Sequence, residues 1–214
     1  MNIEILLFDG FDDLDAFGPF EVLKSAGLDT RFVTIEPAQR VTSAHGARIE
    51  PEAVLGDPDL VLVPGGGWND RDGAGAWFEA RRGVITKALA ERHARGRRVG
   101  SVCTGAMLLA EAGLLEGRRA ITHHSAIEDL RGFGAEVVDG ARYVDEGDII
   151  TAAGVTSGID MALYLVEQLV GSEAAEAEAA EIEWNQISGA STSGRSIGTN
   201  EYESSTSTNV AARN

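Results

Sequence analysis

The feature that most constrains the fold of this 214-residue chain is a series of short apolar segments separated by longer mixed ones. These segments have strand length, and they lie at residues 3–8, 31–35, 60–63, 99–102 and 149–151. Strands buried on both faces carry nearly continuous apolar runs, whereas half-exposed strands alternate apolar and polar residues. Because helical segments separate the runs, we predict a doubly wound α/β fold, in which helices sandwich a mainly parallel sheet.

Between and beyond these strands, the positions of Gly, Pro and Ser, which are common at turns and helix ends, predict the other elements. They are a short helix Phe20–Lys24 behind Gly18-Pro19, a hairpin over 41–49, helices over 77–93, 104–112 and 159–170, further strands at 119–122, 136–138 and 143–144, and a last helix capped by Ser172 and running to about Ile187. We predict one domain over residues 1–187. The polar segment 188–214 can bury little apolar surface, so we expect a disordered tail or an arm laid on another surface.

The charge of the chain excludes several partners. It carries 34 acidic against 18 basic residues, a net charge of −16, and only two of the cations are lysines. Nucleic acid and anionic membranes would repel such a chain. It has no apolar run of about 20 residues and no signal-peptide pattern, so we expect a cytoplasmic protein without membrane contact. Adaptation to high salt explains the acidity better than ordinary solubility in a GC-rich organism, which remains the alternative.

Cys103, the only cysteine, lies where a strand ends and a helix begins. Small residues stand two positions before and after it, at Ser101 and Gly105, as a strained turn requires. This is the layout of a nucleophile elbow, and a helix N-terminus favours the thiolate. The alternative is an inert cysteine in the core. The position at the carboxyl end of the sheet favours the nucleophile, because open α/β folds bind their ligands there.

Asp15 follows the first strand, in a segment predicted to be the loop before the first helix. That loop opens at the same edge of the sheet as the Cys103 turn. A carboxyl group near a thiol can hold, give or take one proton, but if ionised it raises the thiol pKa. A poised pair therefore needs Asp15 protonated, or one proton shared by both groups. The alternative is an acidic surface loop shared with Asp9, Asp12 and Asp13.

Two further segments could contribute to a site. The glycines Gly65, Gly66 and Gly67 follow a strand, and their backbone N–H groups could converge on an anion or a developing oxyanion. His123 and His124 follow another strand and are candidates for a general base, although a structural role suits at least one of them. Neighbouring residues on a strand point to opposite faces, so the pair cannot easily share a metal ion, and we expect no metal.

These motifs together resemble the ThiJ/PfpI family, part of the class I glutamine amidotransferase-like superfamily. The resemblance covers Met1 to about Val170, and the motifs that carry it lie at 14–23, 63–66, 101–105, 112–120, 122–123 and 151–160. It implies a flavodoxin-like fold, a homodimer, and an elbow cysteine beside an acidic residue.

Within the family, Thr104 directly after Cys103, together with Asp rather than Glu at position 15, resembles the isocyanide hydratases most closely. This resemblance implies that Cys103 attacks a small-molecule isocyanide, that Asp15 supplies a proton and activates water, and that Thr104 positions substrate or water. Gly65, Gly66, Gly67, Val155 and His123 are expected to line the pocket. No cofactor is expected.

Two alternatives remain open. The same Cys–Asp pair could carry out glyoxalase or deglycase chemistry, although Asp15 in place of Glu disfavours it. The motifs also resemble the sensor domain of AraC-type regulators, so a non-catalytic small-molecule or redox sensor is possible. A Cys–His peptidase is disfavoured, because Thr104 stands where that branch has His.

Overall fold

A computed structural model of the chain describes residues 1–71 and 73–184. Its strands are β1 Asn2–Leu7, β2 Asp29–Thr34, β3 Val41–Thr42, β4 Arg48–Ile49, β5 Ala53–Val54, β6 Leu60–Val63, β7 Arg98–Val102, β8 Arg119–Ala120, β9 Glu136–Val137, β10 Tyr143–Asp145 and β11 Ile149–Ala152. Its α-helices are α1 Asp13–Ser25, α2 Ala76–Arg82, α3 Val84–Ala94, α4 Ala106–Glu111, α5 Ile127–Gly132, α6 Ser157–Leu169 and α7 Ser172–Glu181. Two 3₁₀ turns lie at Cys103–Gly105 and His124–Ala126.

The central sheet has seven strands in the order β10-β11-β7-β6-β1-β2-β5. Every neighbouring pair is parallel except β10 and β11. Helices α1, α6 and α7 pack together, and α2, α3 and α4 form a second group. The predicted doubly wound, mainly parallel α/β fold is confirmed. Strands β1, β6 and β7 are side by side at its centre, so the loops at their carboxyl ends converge.

The first helix begins earlier than predicted. It starts at Asp13, and the Asp12 carboxylate caps it by accepting from the backbone N–H of Leu14 at 3.2 Å. Pro19 lies inside the helix rather than in its first turn. Proline lacks the N–H that would bond to the carbonyl four residues earlier, which here belongs to Asp15. Because α1 begins at Asp13, Asp15 lies in the first turn of this helix and not in a loop.

Other predicted boundaries also differ, whereas the predicted hairpin is found. Gly83, with a φ of +73°, divides the predicted helix over 77–93 into α2 and α3. Strand β8 ends at Ala120, and it pairs with β9 in a small separate sheet. Gly171 rather than Ser172 occupies the cap position of α7, which ends at Glu181. The hairpin over 41–49 is present as β3 and β4.

The predicted continuation of the last helix to about Ile187 is wrong, because α7 ends at Glu181 and residues 182–184 are not helical. The polar segment 188–214 lies outside the described residues, and the domain over 1–187 stays a prediction. Within the described part of the chain, none of the helices combines the length and apolar character that crossing a bilayer requires.

Candidate active site

Cys103 occupies a strained turn at the end of β7. Its φ is +56°, which is left-handed backbone that costs a residue other than glycine about 1–2 kcal/mol. Two hydrogen bonds hold the turn: the Cys103 N–H donates to the Ala153 carbonyl, and its carbonyl accepts from the Thr122 hydroxyl, both at 2.9 Å. Strain that neighbouring elements maintain in this way is typical of functional positions.

The small residues around the turn are required by backbone packing. A Cβ atom on Gly105 would overlap the Val63 carbonyl, and a Cβ on Gly65 would lie 2.5 Å from the Thr104 backbone nitrogen. The loops that follow β6 and β7 are therefore in direct backbone contact. This contact fixes the position of Cys103 relative to the glycine loop.

Asp15 is buried, with 1% of its surface exposed, and it lies beside Cys103. Its Oδ2 accepts a hydrogen bond from the Gly65 N–H at 2.9 Å. Its Oδ1 is buried and has no hydrogen-bond partner of good geometry among the described residues. Asp15 and the Cys103 thiol are close enough for each group to shift the pKa of the other.

The surroundings of the pair favour its protonated forms. Burial, followed by the charge of Asp12, raises the pKa of Asp15 well above its usual range. Burial, followed by the charge of Asp15, raises the pKa of Cys103 to about 12, although the backbone N–H groups of Val155 and Thr104 oppose this shift. The expectation that a helix N-terminus lowers the thiol pKa is wrong. Burial and the Asp15 carboxyl group raise this pKa by more than the backbone N–H groups lower it.

The glycine loop was predicted to bind an oxyanion, but two of its backbone N–H groups bind side chains of the site instead. The Gly65 N–H donates to Asp15, and the Gly66 N–H donates to Thr104 Oγ1 at 3.0 Å. Both N–H groups are thus engaged by side chains and are not free to bind a developing anion. Gly67 faces away, since a Cβ there would lie 2.6 Å from the Ala74 carbonyl.

Thr104 is buried beside the elbow, and its Oγ1 acts as an acceptor. A hydroxyl that accepts a hydrogen bond keeps its own hydrogen for donation. No acceptor for that hydrogen is found in the part of the chain that the structure describes. Thr104 can therefore donate to a bound molecule.

A cavity of about 400 Å³ is lined by Val155 and His123, whereas Cys103, Asp15 and Thr104 are not among its lining residues. The His123 ring lies against Gly154, where a Cβ would be 2.6 Å from its Cδ2 atom. A larger cavity of about 600 Å³ lies beside Trp77 and Phe78, and its lining includes none of the predicted site residues.

The two histidines are not placed as predicted. His123 begins the 3₁₀ turn after β8 instead of extending a strand, and its ring centroid is 4.1 Å from that of His124. The rings are therefore neighbours and do not point to opposite faces. Over residues 1–71 and 73–184, no group of three or more His, Cys, Asp or Glu side chains is arranged to hold a metal ion.

Comparison with known proteins identifies the family to which this geometry belongs. Residues 1–168 match the sequence pattern of the DJ-1/PfpI family. The chain belongs to the DJ-1/PfpI family. The resemblance inferred from the motifs around Asp15 and Cys103 is thereby confirmed.

Several relatives within the DJ-1/PfpI family are similar over most of the chain. An isonitrile hydratase from Pseudomonas putida is 34% identical, with 86% of this chain and 78% of the relative covered. A deglycase from Thermococcus kodakarensis is 29% identical over 68% of this chain and 86% of its own. The crystal structure of a ThiJ/PfpI family protein from Pseudomonas syringae superposes with a TM-score of 0.75 at 31% identity, covering 87% of this chain and 76% of that one.

Some contacts in this DJ-1/PfpI protein have no counterpart in the sequence reasoning. The Thr122 hydroxyl braces the elbow, and Asn69 and Ser125 contact the His123 side of the site. Thr122 and Ser125 lie in the segment between β8 and α5, whereas Asn69 lies in the loop after β6. No local pattern marks the contacts of Asn69 and Ser125. Only the strand order brings their loops together.

Proposed function

We propose that the protein is a cysteine-dependent hydro-lyase that adds water to an isocyanide and releases an N-substituted formamide. The observation that carries this proposal is the pairing of an elbow thiol with a buried carboxyl group whose second oxygen is unpaired. The surroundings raise the pKa of both Asp15 and Cys103, so they favour the protonated form of each group. An isocyanide suits such a pair, because its terminal carbon accepts a nucleophile and then a proton.

In the first step, the Cys103 sulfur forms a bond to the terminal carbon of the isocyanide. Asp15 gives its proton to that carbon and takes the thiol proton, so the pair stays neutral overall. The product is a thioimidate, S–CH=N–R, attached to Cys103. A thiolate need not exist beforehand, and the high thiol pKa is therefore compatible with the reaction.

In the second step, water adds to the thioimidate carbon, and the C=N electron pair moves to nitrogen. Asp15, which holds the former thiol proton, gives that proton to the nitrogen and takes one from the attacking water. The tetrahedral adduct then collapses, the C–S bond breaks, and the sulfur recovers a proton. The net reaction joins one isocyanide and one water, and neither a metal nor an organic cofactor takes part. Thr104 donates a hydrogen bond to the substrate or to the water.

The relatives support this proposal over others. The isonitrile hydratase from Pseudomonas putida is 34% identical over most of both chains. Thr104 directly after Cys103, and Asp rather than Glu at position 15, are the two residues by which this chain resembles the isocyanide hydratases. By the same resemblance we propose a homodimer with a small-molecule substrate.

The test is an assay with an aryl isocyanide, in which formamide absorbance is followed in buffer of high ionic strength. We expect turnover by the wild type, and a loss of about a thousandfold or more in Cys103→Ala. Acid-quenched wild type should carry an adduct with the full mass of the isocyanide, because no group leaves in the first step. Equal rates for wild type and Cys103→Ala would contradict the proposal.

A second candidate is deglycase or glyoxalase chemistry by the same pair, which the deglycase relative at 29% identity favours. Methylglyoxal and a glycated thiol in the same assay test it. Turnover of these substrates without turnover of isocyanides would replace the first proposal. If neither class reacts, the non-catalytic sensor becomes the better interpretation, and a search for bound small molecules follows.

A further inference from the structure

Two polar side chains, those of Asn69 and Ser125, connect the loop after β6 to the imidazole of His123. Asn69 Nδ2 lies 2.6 Å from Ser125 Oγ, and Ser125 Oγ lies 2.7 Å from His123 Nδ1. The backbone N–H of Ser125 also donates to the same Nδ1, at 3.3 Å. The Nδ1 atom is therefore the end point of two hydrogen bonds from one residue.

The direction of these bonds determines where the imidazole carries its hydrogen. A backbone N–H can only donate, so Nδ1 must present a lone pair, whichever way the Asn69 amide is oriented. The Ser125 hydroxyl then gives its hydrogen to Nδ1 and accepts from Asn69. In a neutral imidazole one nitrogen donates and the other accepts, which places the hydrogen of His123 on Nε2.

The surroundings keep the ring of His123 neutral. Burial, followed by the charge of His124, lowers the pKa of His123, whereas Asp12 opposes this shift more weakly. In the described part of the chain Nε2 has no hydrogen-bond partner, so a neutral His123 presents one free N–H donor.

This donor lies beside the elbow. The His123 ring packs on Gly154, and a Cβ on that glycine would be 3.4 Å from Nε2. The backbone N–H of the next residue, Val155, is near enough to the Cys103 sulfur to lower the thiol pKa. His123, Gly154 and Val155 line the cavity of about 400 Å³, whereas Cys103 itself does not. A molecule that extends from the sulfur past Val155 into this cavity would pass next to Nε2.

We propose that Ser125 and Asn69 act as positioning residues that hold His123 in its Nε2–H tautomer, and that this N–H donates to the nitrogen of the substrate. The second part rests on the proposed function. When water adds to the thioimidate, the C=N electron pair moves to nitrogen, and a hydrogen bond from Nε2–H stabilises the charge that develops there. His123 keeps its hydrogen throughout, and it acts as a donor and not as a base.

The tautomer can be observed without any substrate. Full-length protein labelled with ¹⁵N-histidine gives two-bond ¹H–¹⁵N correlations that distinguish the Nε2–H ring, the Nδ1–H ring and the imidazolium, and His123→Gln identifies the signals of His123. We expect the Nε2–H pattern at neutral pH in the wild type and in Ser125→Thr. Ser125→Ala, which loses one hydrogen bond, should move the ring about fivefold toward the other tautomer. An Nδ1–H or imidazolium pattern in the wild type would overturn the proposal.

The donor role is tested by two variants of His123. Gln carries an amide N–H near the position of Nε2, whereas Asn reaches only as far as Nδ1 and still suits the first position of the turn. We expect kcat for isocyanide hydration to fall about a hundredfold in His123→Asn and less than tenfold in His123→Gln, with little change in KM. Equal kcat values for the two variants would overturn the donor role. If the wild type hydrates no isocyanide, the proposed function fails, and the spectra still decide the tautomer.

Discussion

Asp15 and Asp148 lie at opposite ends of the central sheet, and their surroundings shift their pKa in opposite directions. Asp148, just before β11, receives two hydrogen bonds from the Arg118 guanidinium at 2.6 and 3.0 Å and contacts His93 Nε2 at 2.7 Å. Its pKa falls to about 2, chiefly because of Arg118. Asp15, at the carboxyl end, has the Gly65 N–H and the Cys103 thiol beside it but no cation, and burial raises its pKa.

The contrast separates two uses of a carboxyl group. The Asp148 cluster satisfies its charge and links α3, β8 and β11, so its contribution is to stability. Asp15 is buried with one oxygen unpaired, an arrangement that stabilises nothing and costs free energy. Groups that are left unsatisfied in this way are candidates for chemistry. Of these two carboxyl groups, only Asp15 lies beside Cys103.

The largest expected effect follows from exchanging each carboxyl group for an amide. Asp15→Asn cannot relay a proton, so we expect kcat/KM for isocyanide hydration to fall about a thousandfold, within the range for general acid–base groups. Asp148→Asn is the matched control, and its rate should stay within twofold of the wild type. Comparable losses in both variants would erase the distinction between the two ends of the sheet.

The order of the two variants should reverse when stability is measured. Asp148→Asn loses charge-assisted bonds to Arg118, and because Asp148 is partly exposed we expect the free energy of unfolding to fall by only about 1 kcal/mol. Asp15→Asn removes the penalty for a buried ionisable group, so stability at neutral pH should hold or rise. Urea denaturation followed by fluorescence measures both. A larger loss in Asp15→Asn would show that Asp15 has a structural role.

The pH dependence of stability sharpens the comparison. The pKa of Asp148 is lowered from 3.8 to about 2, so its stabilisation is present above pH 4 and disappears as the pH falls toward 2. The difference in stability between wild type and Asp148→Asn should therefore vanish in acid. The pKa of Asp15 is raised, so its protonated form favours folding below its ordinary value of 3.8, and this contribution is lost as the pH rises. The gain from Asp15→Asn should accordingly appear only above pH 4, and a gain that persists at pH 2 would contradict it.

The smallest expected effect is that of salt. The chain carries a net charge of −16, and screening relieves its self-repulsion while weakening exposed pairs such as Arg118–Asp148. We expect the repulsion to dominate and the melting temperature to rise by about 3 °C between dilute and molar salt. The melting temperature of Asp148→Asn should rise slightly more, because this variant lacks the Arg118–Asp148 ion pair that salt would weaken. A flat or falling curve would argue against adaptation to high salt.

The fold was predictable because its signals are local. Apolar runs such as 60–63 and 99–102 identify buried parallel strands, and small residues around Cys103 identify a tight turn. The start of α1 was missed, since Asp12, Asp13 and Asp15 suggested an acidic loop. In the structure Asp12 caps the helix, and tertiary packing against α6 tolerates Pro19 within it.

The site was predictable in its members more than in its electrostatics. Cys103, Asp15 and Thr104 lie together as predicted. The direction of the thiol pKa shift was wrong, because it depends on how deeply the thiol is buried and on a carboxyl group from another element. The contact of Asn69 with Ser125, which in turn contacts His123, joins two loops that are far apart in the chain, so only the three-dimensional structure could reveal it.

The backbone contact between the loops after β6 and β7 limits which residues of the protein can be replaced. Gly65 and Gly105 leave no room for a side chain, so almost any replacement there should displace Cys103 or prevent folding. The cavity wall at Ile127 and Ala141 is made of ordinary side chains that can change size. A mutant library aimed at new ligands should therefore keep both glycines fixed and vary this wall, where the shape of the cavity can change while the distance between Cys103 and Asp15 stays the same.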